Sequence, residues 1–171
     1  RSFSNLDKYN LDQYLMKGGR ILFLLDRLDA VMDSASSENY FAFPYDLNLD
    51  DQLFKYGIRI NQDLILDRVA GRYPIVVSNA GKPQIMQMEW PFFPLINQYA
   101  DHPITRNLDA SLLKFTSTVD TIKADGVKKT PLLFSSAYTR RAVAPVKVGV
   151  NDLRNQLQQA DSFNAGRMPV G

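Results

Sequence analysis

The chain has no cysteine, one histidine and one tryptophan in 171 residues. Without cysteine it holds no disulfide, no zinc–thiolate site and no thiol nucleophile. With His102 as the sole imidazole, a metal site would draw its other ligands from carboxylates. No metal or cofactor site is assigned. The Gly-x-Ser-x-Gly turn that presents the serine of α/β hydrolases is also missing. A triad of His102 with Ser135 or Ser136 and an aspartate therefore lacks its usual frame. In Asp101-His102-Pro103-Ile104-Thr105 the ring reads instead as a group that positions a loop by packing or hydrogen bonding. A surplus of charge is lacking too. The net charge is +2, and the basic residues cluster only as the pairs Lys128-Lys129 and Arg140-Arg141. That is too little to suggest a nucleic-acid surface, and no nucleic-acid partner is expected. No apolar stretch approaches the roughly 18 residues of a membrane-spanning helix. No phosphate-binding glycine loop is present, because Gly18-Gly19 precedes a strand pattern rather than opening a helix.

What is there fits an ordinary globular chain, 45% apolar and 22% charged. Its length suits one domain. Ser4 or Asn5 can cap a first helix, with Asp7 in the first turn. Phe3, Leu6, Leu11, Tyr14 and Leu15 form its apolar side, and Gly18 or Gly19 supplies the left-handed stop. Arg20–Asp26 then holds five consecutive apolar residues. Unbroken apolarity predicts a strand covered on both faces, as in a parallel sheet. Helix, glycine stop and buried strand make half a βαβ unit, so the expected class is α/β.

Further along, Asp26–Asn48 reads as a long polar loop with the Tyr40–Pro44 cluster inside it. Leu49–Tyr56 predicts a short helix ended by Gly57. Leu64–Asp67, Leu112–Phe115 and Pro131–Ser135 are strand candidates. Tyr73–Ser78 and Gln84–Met88 flank a turn signal, which predicts a β-hairpin near 73–89. Trp90-Pro91-Phe92-Phe93-Pro94 is expected to be irregular. Val143–Val150 suggests an edge, since Pro145 cannot donate to a ladder. Asn151–Ala160 suggests a helix, and Ser162–Gly171 a loosely packed end. The expected division is one α/β domain over 1–150 and a C-terminal extension over 151–171.

Candidate site residues follow from position. Asp26 ends the predicted central strand, where α/β folds place ligands, although strand-end aspartates also cap turns. Ser135, Ser136, Tyr138 and Arg140 follow the last buried strand. They form either a ligand site for an anion or sugar or a solvated loop. Trp90, Phe92 and Phe93 form either a satellite core or an exposed patch for a protein partner.

Four segments, in order, resemble the GldG-type auxiliary proteins of Bacteroidetes gliding-motility ABC transporters. They are Leu11–Gly19 with the strand to Asp26, Tyr56–Asn61 with Leu64–Asp67, His102-Pro103-Ile104-Thr105-Arg106-Asn107-Leu108, and Leu132–Ser136. The resemblance implies a Rossmann-like or flavodoxin-like three-layer domain with a mostly parallel sheet, of the class I glutamine-amidotransferase-like kind. It also implies a periplasmic or otherwise extracytoplasmic domain of an inner-membrane-anchored protein, working with a permease and an ATPase. Amidotransferases of that kind use a cysteine nucleophile, which this chain lacks. The expectation is therefore a non-enzymatic domain acting through protein contacts, without a cofactor. The alternative is a small-ligand binding domain for a saccharide or anion, in which His102 and Arg106 are further candidates. Since such domains place a strand before the first helix, an incomplete sheet edge is expected, open to another chain or to a homodimer.

Overall fold

The computed structural model describes residues 2–32, 40–79, 82–149 and 160–171. The first helix, α1 (Asn5–Met16), starts as its residues dictate. The Ser4 hydroxyl accepts the Asp7 amide at 3.2 Å, and the Asp7 carboxylate accepts the Ser4 amide at 2.9 Å. This reciprocal capping satisfies two of the donors a helix start leaves open. Gly18, at φ 84°, ends the helix. α1 has no buried residue, however. Leu6, Tyr9 and Met16, which fall within one arc of the helix, are all exposed.

Arg20–Asp26 corrects the expected central strand. It forms no ladder, and Leu22 and Leu24 are 82% and 86% exposed. Side chains of an extended chain alternate sides. Ile21, Phe23 and Leu25 are therefore the half-buried set, and Leu25 packs on Leu47, Leu49 and Leu53. The expected long loop is also partly ordered. Tyr45 donates to the Arg27 carbonyl at 2.7 Å and Asp29 to that of Phe43 at 2.8 Å, which makes a ribbon of the two flanks. The serines at 34, 36 and 37 lie outside the described residues.

The chain continues through β1 (Phe41–Ala42), α2 (Asp50–Lys55), β2 (Ile58–Ile60), β3 (Asp63–Asp67), β4 (Ala70–Asn79), β5 (Lys82–Ile96), β6 (Gln98–Tyr99) and β7 (Ser111–Leu112). It ends with β8 (Val119–Thr121), β9 (Leu133–Phe134), β10 (Thr139–Val143), β11 (Val146–Lys147) and a 3₁₀ turn, Ala160–Ser162. α2 begins with Asp50 and Asp51 and is closed by Gly57 at φ 79°. The pairings are β1 with β11, β2 with β8, β3 with β10, β4 with β5 with β7, and β6 with β9. Every ladder among the described residues is antiparallel. A Rossmann-like or flavodoxin-like three-layer domain with a mostly parallel sheet is thus excluded. In its place stand, among the described residues, small antiparallel sheets with two short α-helices.

The strand covered on both faces is β3, not the 21–25 run. All five of its residues have no solvent exposure. Leu64 and Leu66 enter the main core with Phe92, Phe93 and Phe115, whereas Ile65 points the other way, onto Ile96 and Val170. The hairpin near 73–89 does form, from β4 and β5. β5 also carries Trp90–Pro94, expected to be irregular, within the strand. The register jumps from Arg72 opposite Glu89 to Ala70 opposite Pro94. The two prolines are accommodated around this bulge, where ladder bonds are interrupted. Trp90, Phe92 and Phe93 are each 1% exposed, with Trp90 and Phe93 centroids 5.2 Å apart, so they form core and not a surface patch. The expected Asn151–Ala160 helix falls mostly outside the described residues. Ser162–Gly171 is not loose. Phe163 enters the main core, and the Gly171 carbonyl accepts the amides of Leu132 and Leu133 at 2.7 and 2.9 Å.

Truncating a ring in this core removes apolar burial and leaves a cavity. Phe92→Ala is expected to cost about 3–5 kcal/mol in urea denaturation. Leu24→Ala, at an exposed position, is expected to stay within about 0.5 kcal/mol of the parent. A cost above 2 kcal/mol for Leu24→Ala, on the scale of core truncations, would place the 21–25 run back inside a sheet.

Candidate functional site

Three arginines from separate parts of the chain line one cavity of about 350 Å³. Arg27 comes from the ribbon, Arg59 from β2 and Arg141 from β10. Arg27 is 6% exposed. Its Nη2 donates to Asp50 Oδ2 at 2.6 Å and its Nη1 to the Tyr45 carbonyl at 3.2 Å, while buried Nε has no acceptor. Arg59 is paired directly across the ladder with Asp120 of β8, and Nη2 reaches Asp120 Oδ2 at 2.5 Å. Asn61 Nδ2 donates to the same oxygen at 3.0 Å. Arg141 Nε donates to Asp63 Oδ2. Asp63, fully buried, also accepts the Thr118 amide at 2.8 Å and the Thr118 hydroxyl at 2.6 Å. Leu53, Phe54, Ile60 and Val143 give the cavity an apolar wall.

The hydrogen bond from Arg59, joined by that from Asn61, holds the Asp120 carboxyl below the usual carboxylate range. On the α1 side, the Lys8 ammonium does the same for Asp51. Burial pushes the Tyr56 hydroxyl up, helped by its bond to the Asp12 carboxylate at 2.6 Å. The last two contacts tie α1 to α2.

The residues singled out from the sequence lie elsewhere. Asp26 is exposed, and its neighbour Arg27 is the one that turns inward. Arg140 is stacked over the Phe163 ring, 5.6 Å from its centroid, and its neighbour Arg141 lines the cavity. Ser135 is fully buried, accepting the Met168 amide at 2.8 Å. Ser136 donates its amide and hydroxyl to Asp67 at 2.8 and 2.6 Å. These two serines fasten the β9–β10 connection, and Tyr138 is exposed beside them. His102 Nδ1 accepts the Ile104 amide at 3.2 Å, and its carbonyl accepts the amides of Thr105 and Arg106. It thus shapes a turn, with the Arg106 side chain exposed. Arg59 was legible in retrospect, because Ile58-Arg59-Ile60 alternates as a two-faced strand does.

A family model described as an ABC-type uncharacterized transport system matches residues 1–171. The chain belongs to that family. It is thereby an auxiliary component of an ABC-type transport system. No curated protein and no solved structure matches it. Within this transport family the amidotransferase-like fold is not the one this chain adopts.

The Arg59–Asp120 pair gives a pH prediction. The folded pKa of Asp120 lies below its unfolded value. The pair's contribution is therefore complete above the unfolded pKa and is lost as pH falls through the folded one. Urea denaturation between about pH 6 and pH 2 should show stability falling with acid, and Asp120→Asn should flatten part of that fall. The pair is half exposed and screened by solvent, so the difference at neutral pH is expected to be about 0.2–1 kcal/mol.

Proposed function

We propose that this protein is a non-enzymatic, extracytoplasmic domain of a membrane-anchored auxiliary component of an ABC-type transport system, of the gliding-motility type. It acts through contacts with the permease and ATPase subunits of that system. The family match over the whole chain supports the transport setting. The observation that carries the contact mechanism is the apolar surface of the N-terminal segment. Leu6, Tyr9 and Met16 on α1, then Leu22 and Leu24 on the unpaired segment, are all more than 60% exposed. A protein that works alone rarely leaves large apolar side chains in series on its surface. An extended segment without ladder partners also offers its backbone to a strand of another chain. No helix among the described residues is long and apolar enough to cross a membrane.

The test is purification of the native protein from its own membranes in mild detergent. The permease and ATPase are expected to co-purify. Leu22→Asp with Leu24→Asp is expected to reduce their recovery at least fivefold, about 1 kcal/mol in affinity, while leaving the melting temperature of the isolated chain unchanged. Recovery of no transporter subunit, or equal recovery with the double variant, would count against the contact reading.

A further inference from the structure

The geometry points to a binding site for a small organic anion in the cavity between α2, β2 and β10, with its charged head on Arg27, Arg59 and Arg141 and an apolar body against Phe54 and Val143. Three arginines line this space and, among the described residues, Asp50 is the one carboxylate residue that lines it with them. The carboxylates that hold Arg59 and Arg141, Asp120 and Asp63, are not part of the lining; they anchor the two side chains from outside it. The lumen is therefore cationic although the wider network is balanced.

The arginines retain donors for a ligand. Arg59 and Arg141 each make one described hydrogen bond, to their aspartates. A guanidinium carries five N–H donors in a fork that matches phosphate and carboxylate oxygens. Arg27 is under-compensated in a different way. Its side chain is 6% exposed, while that of its partner Asp50 is 64% exposed. Half of this ion pair is thus in water and half is not, and Nε has no acceptor. A buried cation that lacks full pairing gains from an anion brought to it out of solvent.

The other half of the cavity selects the rest of the molecule. Phe54 and Val143 are 56% and 66% exposed at residues that line the cavity, and Leu53 and Ile60 continue the apolar wall. Inorganic phosphate would leave that wall in contact with water. A phosphate or carboxylate joined to a ring or short alkyl chain would cover it. At about 350 Å³ the space is at the small end of ligand pockets. The site is independent of which subunits the protein meets, and so is its test.

Phenyl phosphate is the probe, titrated into the full chain by calorimetry, with inorganic phosphate and phenol as separate arms. Saturable binding of phenyl phosphate is expected, weakened by added salt. Arg59→Gln removes one charged donor at an exposed position, and Val143→Glu places a carboxylate at the rim. Each is expected to weaken binding about tenfold, on the scale of one charge-assisted hydrogen bond, with cooperative unfolding retained and, for Arg59→Gln, the melting temperature lowered only by the small amount its half-exposed ion pair supplies. Inorganic phosphate is expected to bind at least fivefold more weakly than phenyl phosphate, and phenol not at all. No saturable binding of phenyl phosphate overturns the proposal, as does equal binding by both variants. Phenol binding as well as phenyl phosphate removes the arginines from it. Inorganic phosphate binding as well removes the apolar wall.

Discussion

A carboxylate with no solvent contact sits at each end of β3, and the rest of the fold is arranged to satisfy the two of them. A buried carboxylate is costly unless its oxygens are hydrogen-bonded or paired. Asp63 takes the amide and hydroxyl of Thr118 and the Nε of Arg141. Asp67 takes the amides of Val69 and Ser136 and the Ser136 hydroxyl. Apart from the neighbouring Val69, those partners come from the segment before β8, from β10 and from the β9–β10 connection. The two acids therefore pin three distant stretches of chain onto one strand. The three apolar residues between them are left to divide two cores, Leu64 and Leu66 to one side and Ile65 to the other.

The same clamp shapes the cavity. Arg141 is held by Asp63 and so presents its remaining donors beside Arg59. Arg59 is itself held by the cross-strand Asp120. Each guanidinium is thus oriented by a carboxylate, although both side chains are about half exposed. Donors oriented in advance favour an anion site, since ordering two long side chains at the moment of binding costs affinity.

The helices were legible in the sequence because their signals are local. Ser4 and Asp7 at one start, Asp50 and Asp51 at another, and Gly18 and Gly57 at the stops act within a turn of where they stand. The hairpin was legible for the same reason. The strand partners were not. A run of apolar residues is compatible with a strand covered on both faces and with an unpaired extended segment whose outward residues face water. Ile21–Leu25 is the second case and Leu64–Leu66 the first, and only distant pairing separates them. The site was missed by one residue in two places. Asp26 and Arg140 are the polar neighbours of Arg27 and Arg141, and in extended chain one step is the opposite face. Choosing the right position along the chain was possible, but choosing the right side of it required the sheet.

The bulge in β5 has a consequence for how this sequence can vary. Strict alternation would send Phe92 and Phe93 to opposite faces, yet both rings, with Trp90, lie in one core cluster. The four residues 90–93 facing Gly71 absorb this change of phase, and beyond them Leu95 and Ile96 resume regular pairing with β7. The strand behaves as two half-strands joined out of step. Exchanging one large apolar residue for another in 90–93 keeps that phase, whereas losing or gaining a single residue there inverts everything downstream. Evolution along this stretch is therefore constrained in length more tightly than in chemistry.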